Sequence, residues 1–304
     1  MKIDQELLLK FEAGLNPQDL EASRVPAVMI GYGEISAIFR LGNDDSTAYK
    51  RMPLFTTRAE AENYRALYYD YCRLLTEAGL SLPETETLVI ESPNGPVVLY
   101  IAQTLFPLES FVHGMIHSRT REECRDLLER VLAEIQKVWR FNQAHGPGLE
   151  LAVDAQLSNW ALPDDGPPRL VDTSTPFIRH NGAHRLNPDL ILRSTPKPLR
   201  KLLKYLFAGE VLNRYYDPSQ SMTDLAANLF KEKKSDLLPD FIKVINRGLP
   251  AGSDPLSGPS VTKYYQGDKM IWTLFLGARR LDRWVLTKLL GKRYEFILPG
   301  RIER

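Results

Sequence analysis

Two stretches decide the fold that this sequence predicts: Val153-Asp154-Ala155-Gln156-Leu157-Ser158-Asn159-Trp160 and, shortly after it, Pro168-Arg169-Leu170-Val171-Asp172-Thr173. In them an acid, an amide and a second acid stand between apolar residues. Carboxylate and amide oxygens are hard ligands of the kind that Mg²⁺ prefers, and a carboxylate can accept the proton of a hydroxyl group. The pattern matches what phosphoryl transfer from a metal-bound nucleotide requires, with Asp154 orienting the acceptor hydroxyl and with Asn159 and Asp172 as metal ligands.

The composition is that of an ordinary globular protein with a substantial core. The chain has 304 residues, of which 43% are hydrophobic and 25% are charged. Its 39 lysines and arginines nearly balance 38 acids, so the formal net charge is +1. Because this balance produces no global positive field, we expect no nucleic-acid partner.

The sequence also predicts a cytoplasmic location. The first residues carry acids where a signal peptide carries a basic flank, and the apolar run at 270–277 is far shorter than the roughly 20 residues that span a bilayer. Cys72 and Cys124 both lie in helix-like patterns, where isolated thiols usually behave as small buried hydrophobes.

Short β-rich segments separated by turn signals predict a small antiparallel sheet in the first third of the chain. Five strands are expected, at 28–30, 35–41, 48–52, 88–91 and 97–102, with turns at 42–45 and 92–95. A helix at 57–78, capped by Thr56 or Thr57 and stopped by Gly79, should pack on this sheet.

After residue 103 the pattern becomes mostly helical. A strongly periodic helix is predicted at 120–142, and later helices are predicted at 198–216, 222–229, 237–246 and 270–290, with a loop at 247–259. The expected fold class is therefore α+β. Its first part, residues 1–103, is a nucleotide-binding lobe with a five-stranded sheet and one helix, and residues 104–304 form a larger helical lobe that binds the acceptor.

Two further signals precede the acidic stretches. Gly31, Gly33 and Ser36 lie at the predicted turn between the first two strands, where backbone N–H groups can approach phosphate oxygens, although two glycines at a hairpin often serve only the turn. Lys50 lies on the next strand, where its amine can hold nucleotide phosphates. A helix carboxylate can aim such a lysine. Glu62 is the predicted partner and Glu60 the alternative, because the sequence does not define the rotation of the helix.

In this order and spacing, residues 28–175 resemble the protein-kinase-like superfamily, particularly its aminoglycoside and choline phosphotransferase-like branches. The glycine turn resembles the nucleotide-binding loop, Lys50 the strand lysine and Glu62 the helix glutamate. The segment from Asp154 to Asn159 resembles the catalytic loop, and Asp172 the metal-binding aspartate. The resemblance implies a bilobal kinase-like fold that uses ATP and Mg²⁺. Adenine is expected between the lobes against the backbone near Tyr100 to Gln103, with Ile101 and Gln103 as the contacts.

Several positions depart from the family pattern. Ala152 stands where the family usually has a histidine, Gln156 where protein-serine kinases carry a lysine, and Thr173 with Ser174 where phenylalanine and glycine usually follow the aspartate. These departures favour a small molecule with a hydroxyl group as acceptor over a protein. They also leave two alternatives open: a pseudokinase that binds nucleotide or acts as a scaffold, and a lipid kinase or protein-modifying transferase.

Basic and apolar residues alternate near the end of the sequence, at 272–293. An amphipathic basic helix of this kind can lie on an anionic membrane. The other interpretation is a helix that packs on the large lobe and has a solvated basic rim. A peripheral membrane contact through this region is therefore one possible partner interaction.

Overall fold

The computed structural model of the protein describes residues 3–33, 35–91, 95–164, 166–196, 200 and 210–298. Its strands are β1 Ala27–Tyr32, β2 Ala37–Leu41, β3 Thr47–Phe55, β4 Thr85–Glu91, β5 Val97–Thr104, β6 Glu150–Leu151, β7 Trp160–Ala161, β8 Arg169–Leu170, β9 Ile178–His180 and β10 Ala183–His184. Its helices are α1 Gln5–Gly14, α2 Arg58–Glu77, α3 Val112–Met115, α4 Arg121–His145, α5 Pro188–Leu192, α6 Glu210–Asn213, α7 Pro218–Lys231, α8 Leu238–Gly248 and α9 Gly258–Trp284. The architecture is mixed, with one five-stranded antiparallel sheet and several helices.

The five predicted strands of the first third are confirmed. They form one sheet in the order β1-β2-β3-β5-β4, and all neighbouring pairs are antiparallel. The turn between β2 and β3 begins at Gly42, whose positive φ of 58° is a backbone conformation that glycine adopts without steric cost. Of the predicted turn at 92–95, only Gly95 belongs to the described residues.

The two principal predicted helices are also confirmed. Thr57 caps α2 by accepting a hydrogen bond from the backbone N–H of Glu60. Thr120 and Glu123 form a reciprocal capping box at the start of α4, which satisfies two backbone donors that a helix N-terminus otherwise leaves without partners. Gly79, with a φ of 92°, ends α2 as expected.

The later helices differ in extent from their predictions. Helix α7 contains the predicted segment 222–229, and α8 contains most of 237–246. The last helix, α9, begins earlier than predicted, at Gly258, where Ser257 forms a capping box. A π-helical turn at Val285–Leu289 follows its end. Most of the predicted helix at 198–216 lies outside the described residues.

Helix α1, which the sequence analysis did not predict, covers the outer face of the sheet. Leu8 and Phe11 pack there against Phe39, Tyr49 and other sheet residues. The opposite face packs on α2 and on residues of α5 that follow the second acidic stretch in sequence. The largest core joins the end of α2 to α4, α7 and α8. Helix α2 therefore contributes to two hydrophobic cores. The division into two lobes at residue 103 stays a prediction.

Candidate functional site

Strand β3 carries the predicted lysine into the space beside α2. Lys50 lies opposite Ile38 of β2 and Ile101 of β5, so it occupies the middle of the sheet. Its side chain is 4% exposed. Its Nζ atom donates hydrogen bonds to Asp172 Oδ1 at 2.7 Å and to Ser174 Oγ at 3.2 Å. The ammonium is thus held by the second acid of the predicted site.

Asp172 is bound on one oxygen and accessible elsewhere. Its Oδ1 atom accepts hydrogen bonds from the backbone N–H and the hydroxyl of Ser174, at 3.1 and 2.7 Å, as well as from Lys50. Burial raises the pKa of this carboxyl, but the Lys50 charge and the hydrogen bonds from Lys50 and Ser174 outweigh it and hold the pKa below its ordinary value. The side chain is 41% exposed, so the carboxylate can still reach a ligand.

The loop from Asp154 to Asn159 is folded on itself. The Gln156 backbone N–H donates to Asp154 Oδ1 at 3.2 Å, and Asn159 Nδ2 donates to the Asp154 carbonyl at 3.2 Å. The carbonyl of Asn159 in turn accepts from the backbone N–H of Val171 at 2.8 Å. This last hydrogen bond connects the loop to the residue before Asp172, so the acid, amide and acid of the sequence pattern belong to one local structure.

Three tyrosines of α2, which the sequence did not mark as site residues, bind backbone and side-chain groups at both acidic stretches. The hydroxyls of Tyr64 and Tyr71 donate to the carbonyls of Ser174 and Ala152, each at 2.6 Å. The Tyr68 hydroxyl lies 3.2 Å from Thr173 Oγ1. The signal in the sequence is a tyrosine at i, i+4 and i+7, which places three hydroxyls on one helical face.

Tyr71 is buried beside the first acidic stretch. Burial is the main cause that raises its pKa well above the ordinary value, and the charges of Tyr216, Cys72, Asp172 and Asp154 add to the shift in that order. Its hydrogen bond to the Ala152 carbonyl supports the start of the loop that carries Asp154.

Gln156 is held by a buried acid of α7. Its Nε2 atom donates to Asp224 Oδ2 at 3.1 Å, and the Tyr264 hydroxyl of α9 donates to the other oxygen, Oδ1, at 3.0 Å. Asp224 is 3% exposed. Gln156 therefore anchors the loop to two helices, through a contact between residues 68 positions apart that no local pattern signals.

The predicted pair between Lys50 and Glu62 is corrected by the structure. Glu62 pairs with Arg58 at 3.5 Å and with Arg65 at 3.0 Å, on a side of α2 about half a turn away from Tyr64. The alternative, Glu60, binds Arg193 at 2.5 Å and accepts a hydrogen bond from the Thr56 backbone N–H. Both glutamates therefore have other cationic partners, and Lys50 is paired with Asp172.

Of the two glycines at the predicted turn, Gly31 belongs to strand β1 and Gly33 follows the end of that strand. Neither Gly31 nor Gly33 has a positive φ, and the Gly33 N–H donates to the Ser36 carbonyl at 2.9 Å. The absence of a side chain matters more at Gly31, where a Cβ atom would lie 3.2 Å from Ile38. Gly33 and Ser36 line a cavity of about 10 Å³, the size of one water, together with Arg51, Pro53, Arg279, Glu295 and nearby residues. The C-terminal segment thus packs against the turn.

The predicted adenine contact also needs a correction. Ile101 and Gln103 lie inside β5, opposite Lys50 and Ala48 of β3 on one side and opposite residues of β4 on the other. Backbone N–H and C=O groups of a central strand are used by the two ladders. The strand ends at Thr104, and the next backbone N–H, that of Leu105, still donates to the Ser46 carbonyl at 2.8 Å.

The predicted metal ligands have the chemistry that a Mg²⁺–nucleotide complex needs. The Asn159 amide nitrogen is used by the Asp154 carbonyl, which leaves the oxygen of that amide for a cation. Asp172 supplies a partly exposed carboxylate beside Lys50. Within the described ranges no group of three or more His, Cys, Asp or Glu is arranged to hold a metal ion.

Comparison with known proteins places this site within a defined family. The family described as "Family of unknown function (DUF6206)" matches residues 18–283. The chain belongs to this family. The region shared with DUF6206 contains the sheet, α2, both acidic stretches and nearly all of α9. No curated protein matches the chain.

Among solved structures, the chain is similar to one described as "WaaP in complex with acyl carrier protein". The sequences are 14% identical, the match covers 82% of this chain and 99% of that chain, and the TM-score is 0.34. That score is too low to define a common fold.

Proposed function

We propose that the protein is an ATP- and Mg²⁺-dependent phosphotransferase that moves the γ-phosphoryl group to a hydroxyl of a small molecule. The observation that carries the proposal is the 2.7 Å contact between Lys50 Nζ and Asp172 Oδ1. It joins residues 122 positions apart, both of which the sequence pattern had assigned to the same chemistry. The hydrogen bond from the Val171 N–H to the Asn159 carbonyl holds the loop that carries Asp154 next to this pair.

Each residue has one task in this reaction. The acceptor oxygen attacks the γ-phosphorus while the bond from that phosphorus to the β,γ-bridging oxygen breaks, and the electron pair leaves with ADP. Asp154 orients the hydroxyl and takes its proton. Lys50 binds the nucleotide phosphates. Catalysis of this kind consists mainly of positioning and of charge stabilisation.

Asn159 and Asp172 are the residues that would hold Mg²⁺, and the bound ion would neutralise charge on the phosphates. Lys50 gives up part of its contact with Asp172 and binds a phosphate oxygen instead. Lys50 and Asp172 are already together at the site. Adenine lies near the chain that leaves β5. In this proposal residues 1–103 and 104–304 are the two lobes of a kinase-like fold, in the cytoplasm.

The first experiment measures ligand binding and turnover by the purified full chain. We expect ATP with Mg²⁺ to raise the midpoint of thermal unfolding more than ATP alone, because a ligand of the folded state stabilises it. Asp172→Ala should remove the Mg²⁺-dependent part of this thermal shift. Asp164 is an acid in the turn between β7 and β8, and Asp164→Ala serves as the matched control. No nucleotide binding and no turnover across a broad panel of alcohols would contradict the proposal.

A second candidate function is a pseudokinase that binds nucleotide or partners without turnover. It is favoured by the packing of Arg279 and Glu295 against the glycine turn and by Gln156 in place of a lysine. This candidate predicts nucleotide binding that does not depend on Mg²⁺ and no product. Transfer to a protein would instead be detected as a labelled polypeptide with labelled ATP.

A further inference from the structure

The long C-terminal helix α9 has two different faces. Its inner face is buried through Val261, Leu276 and Arg279, and the Tyr264 hydroxyl on it binds Asp224. On the outer face, large apolar side chains are in contact with solvent: Met270 is 61% exposed, Leu274 68%, Leu281 63% and Trp284 51%.

The exposed side chains form a single stripe. At 3.6 residues per turn, positions 270, 274, 281 and 284 fall within a sector of about 80°. The stripe continues past the helix to Leu289 and Leu290, which are 64% and 56% exposed. Single exposed apolar residues are common on protein surfaces, but a continuous stripe of this length marks an interaction surface.

The charges around the stripe define its partner. The exposed charged residues of α9 and of the turn after it are all basic: Lys263, Lys269, Arg280, Lys288 and Lys292. The two acids of the helix, Asp268 and Asp282, are only partly exposed, and Asp268 is paired with Lys231 at 3.4 Å. The outer face therefore combines apolar side chains with a positive rim.

We propose that this outer face, defined by Met270, Leu274, Leu281 and Trp284 with its basic rim, docks on the surface of an anionic lipid membrane. An amphipathic helix lies in the plane of such a surface, with its apolar stripe among the acyl chains and its basic residues at the headgroups. Trp284 has the apolar body and the polar N–H that suit this interface.

A second copy of the chain fits this face less well. Two copies packed stripe to stripe would bring the basic rims together, and like charges brought together at an interface oppose association. In the described part of the chain no helix is long and apolar enough to cross a bilayer, so the contact is with the surface. The proposal does not depend on the phosphotransferase activity.

The test is sedimentation of the full chain with vesicles of phosphatidylcholine alone or mixed with phosphatidylserine. We expect binding to the mixed vesicles, little binding to phosphatidylcholine, and weakening at raised ionic strength. The double variant Leu274→Gln/Leu281→Gln should reduce binding by at least about tenfold, because two leucines no longer enter the membrane. Leu108→Gln, at a position 74% exposed on another surface, is the matched control and should bind as the native chain does.

Two further measurements keep the test decisive if the double variant folds poorly. Lys288→Glu/Lys292→Glu should lower binding to the mixed vesicles while leaving the thermal midpoint unchanged. Brominated lipids should quench the fluorescence of the native chain, and Trp284→Phe should remove most of that quenching. The proposal is overturned if the chain does not bind mixed vesicles, if all variants bind equally, or if the stripe variants instead abolish a concentration-dependent dimer.

Discussion

The Tyr64 hydroxyl donates a 2.6 Å hydrogen bond to the carbonyl oxygen of Ser174, and both residues are buried. Ser174 in turn binds both members of the Lys50–Asp172 pair. Tyr64 therefore connects helix α2 to the site, in the role that a helix glutamate was expected to fill. This connection is made by a neutral group, which does not compete with Asp172 for the lysine.

Tyr64→Phe should weaken both stability and activity. It leaves a buried carbonyl without its donor, which costs about 1–3 kcal/mol of unfolding free energy, and it frees the segment that carries Asp172. Urea unfolding and turnover measure the two effects. Tyr69→Phe on the same helix is the control, since Tyr69 is 41% exposed and its hydroxyl contacts Thr87 away from the site. If both variants behave alike, the assigned role of Tyr64 is wrong.

Lys50→Met should change how stability depends on pH. The folded pKa of Asp172 is lowered, so its contribution is present above the unfolded value of about 3.9 and is lost as the pH falls through the folded pKa. Without Lys50, the two largest causes that lower this pKa are lost, so the carboxyl takes up its proton at a higher pH than in the native chain. We expect the variant to lose the stability gain that the native chain shows above about pH 4. Urea midpoints measured across acidic pH provide the comparison, and parallel curves would contradict it.

A buried ion pair beneath α1 should be among the most sensitive positions in the sheet. Glu12 is 2% exposed and accepts hydrogen bonds from Arg51 at 2.7 and 2.9 Å and from the Tyr100 hydroxyl. Glu12→Gln leaves the Arg51 charge with less compensation and should cost about 3–5 kcal/mol. Glu295→Gln, at a second and more exposed partner of Arg51, is the matched control and should cost less.

The contribution of the Glu12–Arg51 pair to stability should be lost at acidic pH. Burial raises the pKa of Glu12, but the hydrogen bonds and charges of Arg51, Tyr100 and Arg293 together lower it below its ordinary value. Its stabilising contribution is therefore present above the unfolded value of about 4.3 and disappears as the pH falls through the folded pKa. In Glu12→Gln this part of the acid unfolding curve should be missing, and an unchanged curve would reject the assignment.

Asp224→Asn should affect the catalytic loop more than nucleotide binding. Asp224 accepts hydrogen bonds from both Gln156 and Tyr264, and an asparagine has only one oxygen to offer them. We expect a lower kcat with an unchanged ATP-induced thermal shift, because the loop carries Asp154 while Lys50 and Asp172 are untouched. Asp236→Asn, an exposed acid before α8, is the control. A loss of ATP binding in Asp224→Asn would show that the substitution disturbs the nucleotide site as well as the loop, which would contradict the prediction.

The local pattern of the sequence was sufficient for the five strands, α2 and α4. Alternation and helical periodicity depend on neighbouring residues, and the caps at Thr57 and Thr120 act within one turn. The order of the glycine turn, Lys50, Asp154, Asn159 and Asp172 also predicted a common chemistry. Helix α1 was missed because its apolar face is explained only by the sheet on which it packs.

Only the tertiary structure decided which groups meet. The rotation of α2 directs the tyrosines toward the site and Glu62 toward Arg58 and Arg65, and no spacing within the helix distinguishes these two outcomes. The contacts of Gln156 with Asp224 and of Lys50 with Asp172 join segments 68 and 122 residues apart. Such partners are determined by the packing of buried faces, whose energy depends on the whole core, whereas the strands and helices themselves follow from interactions between near neighbours.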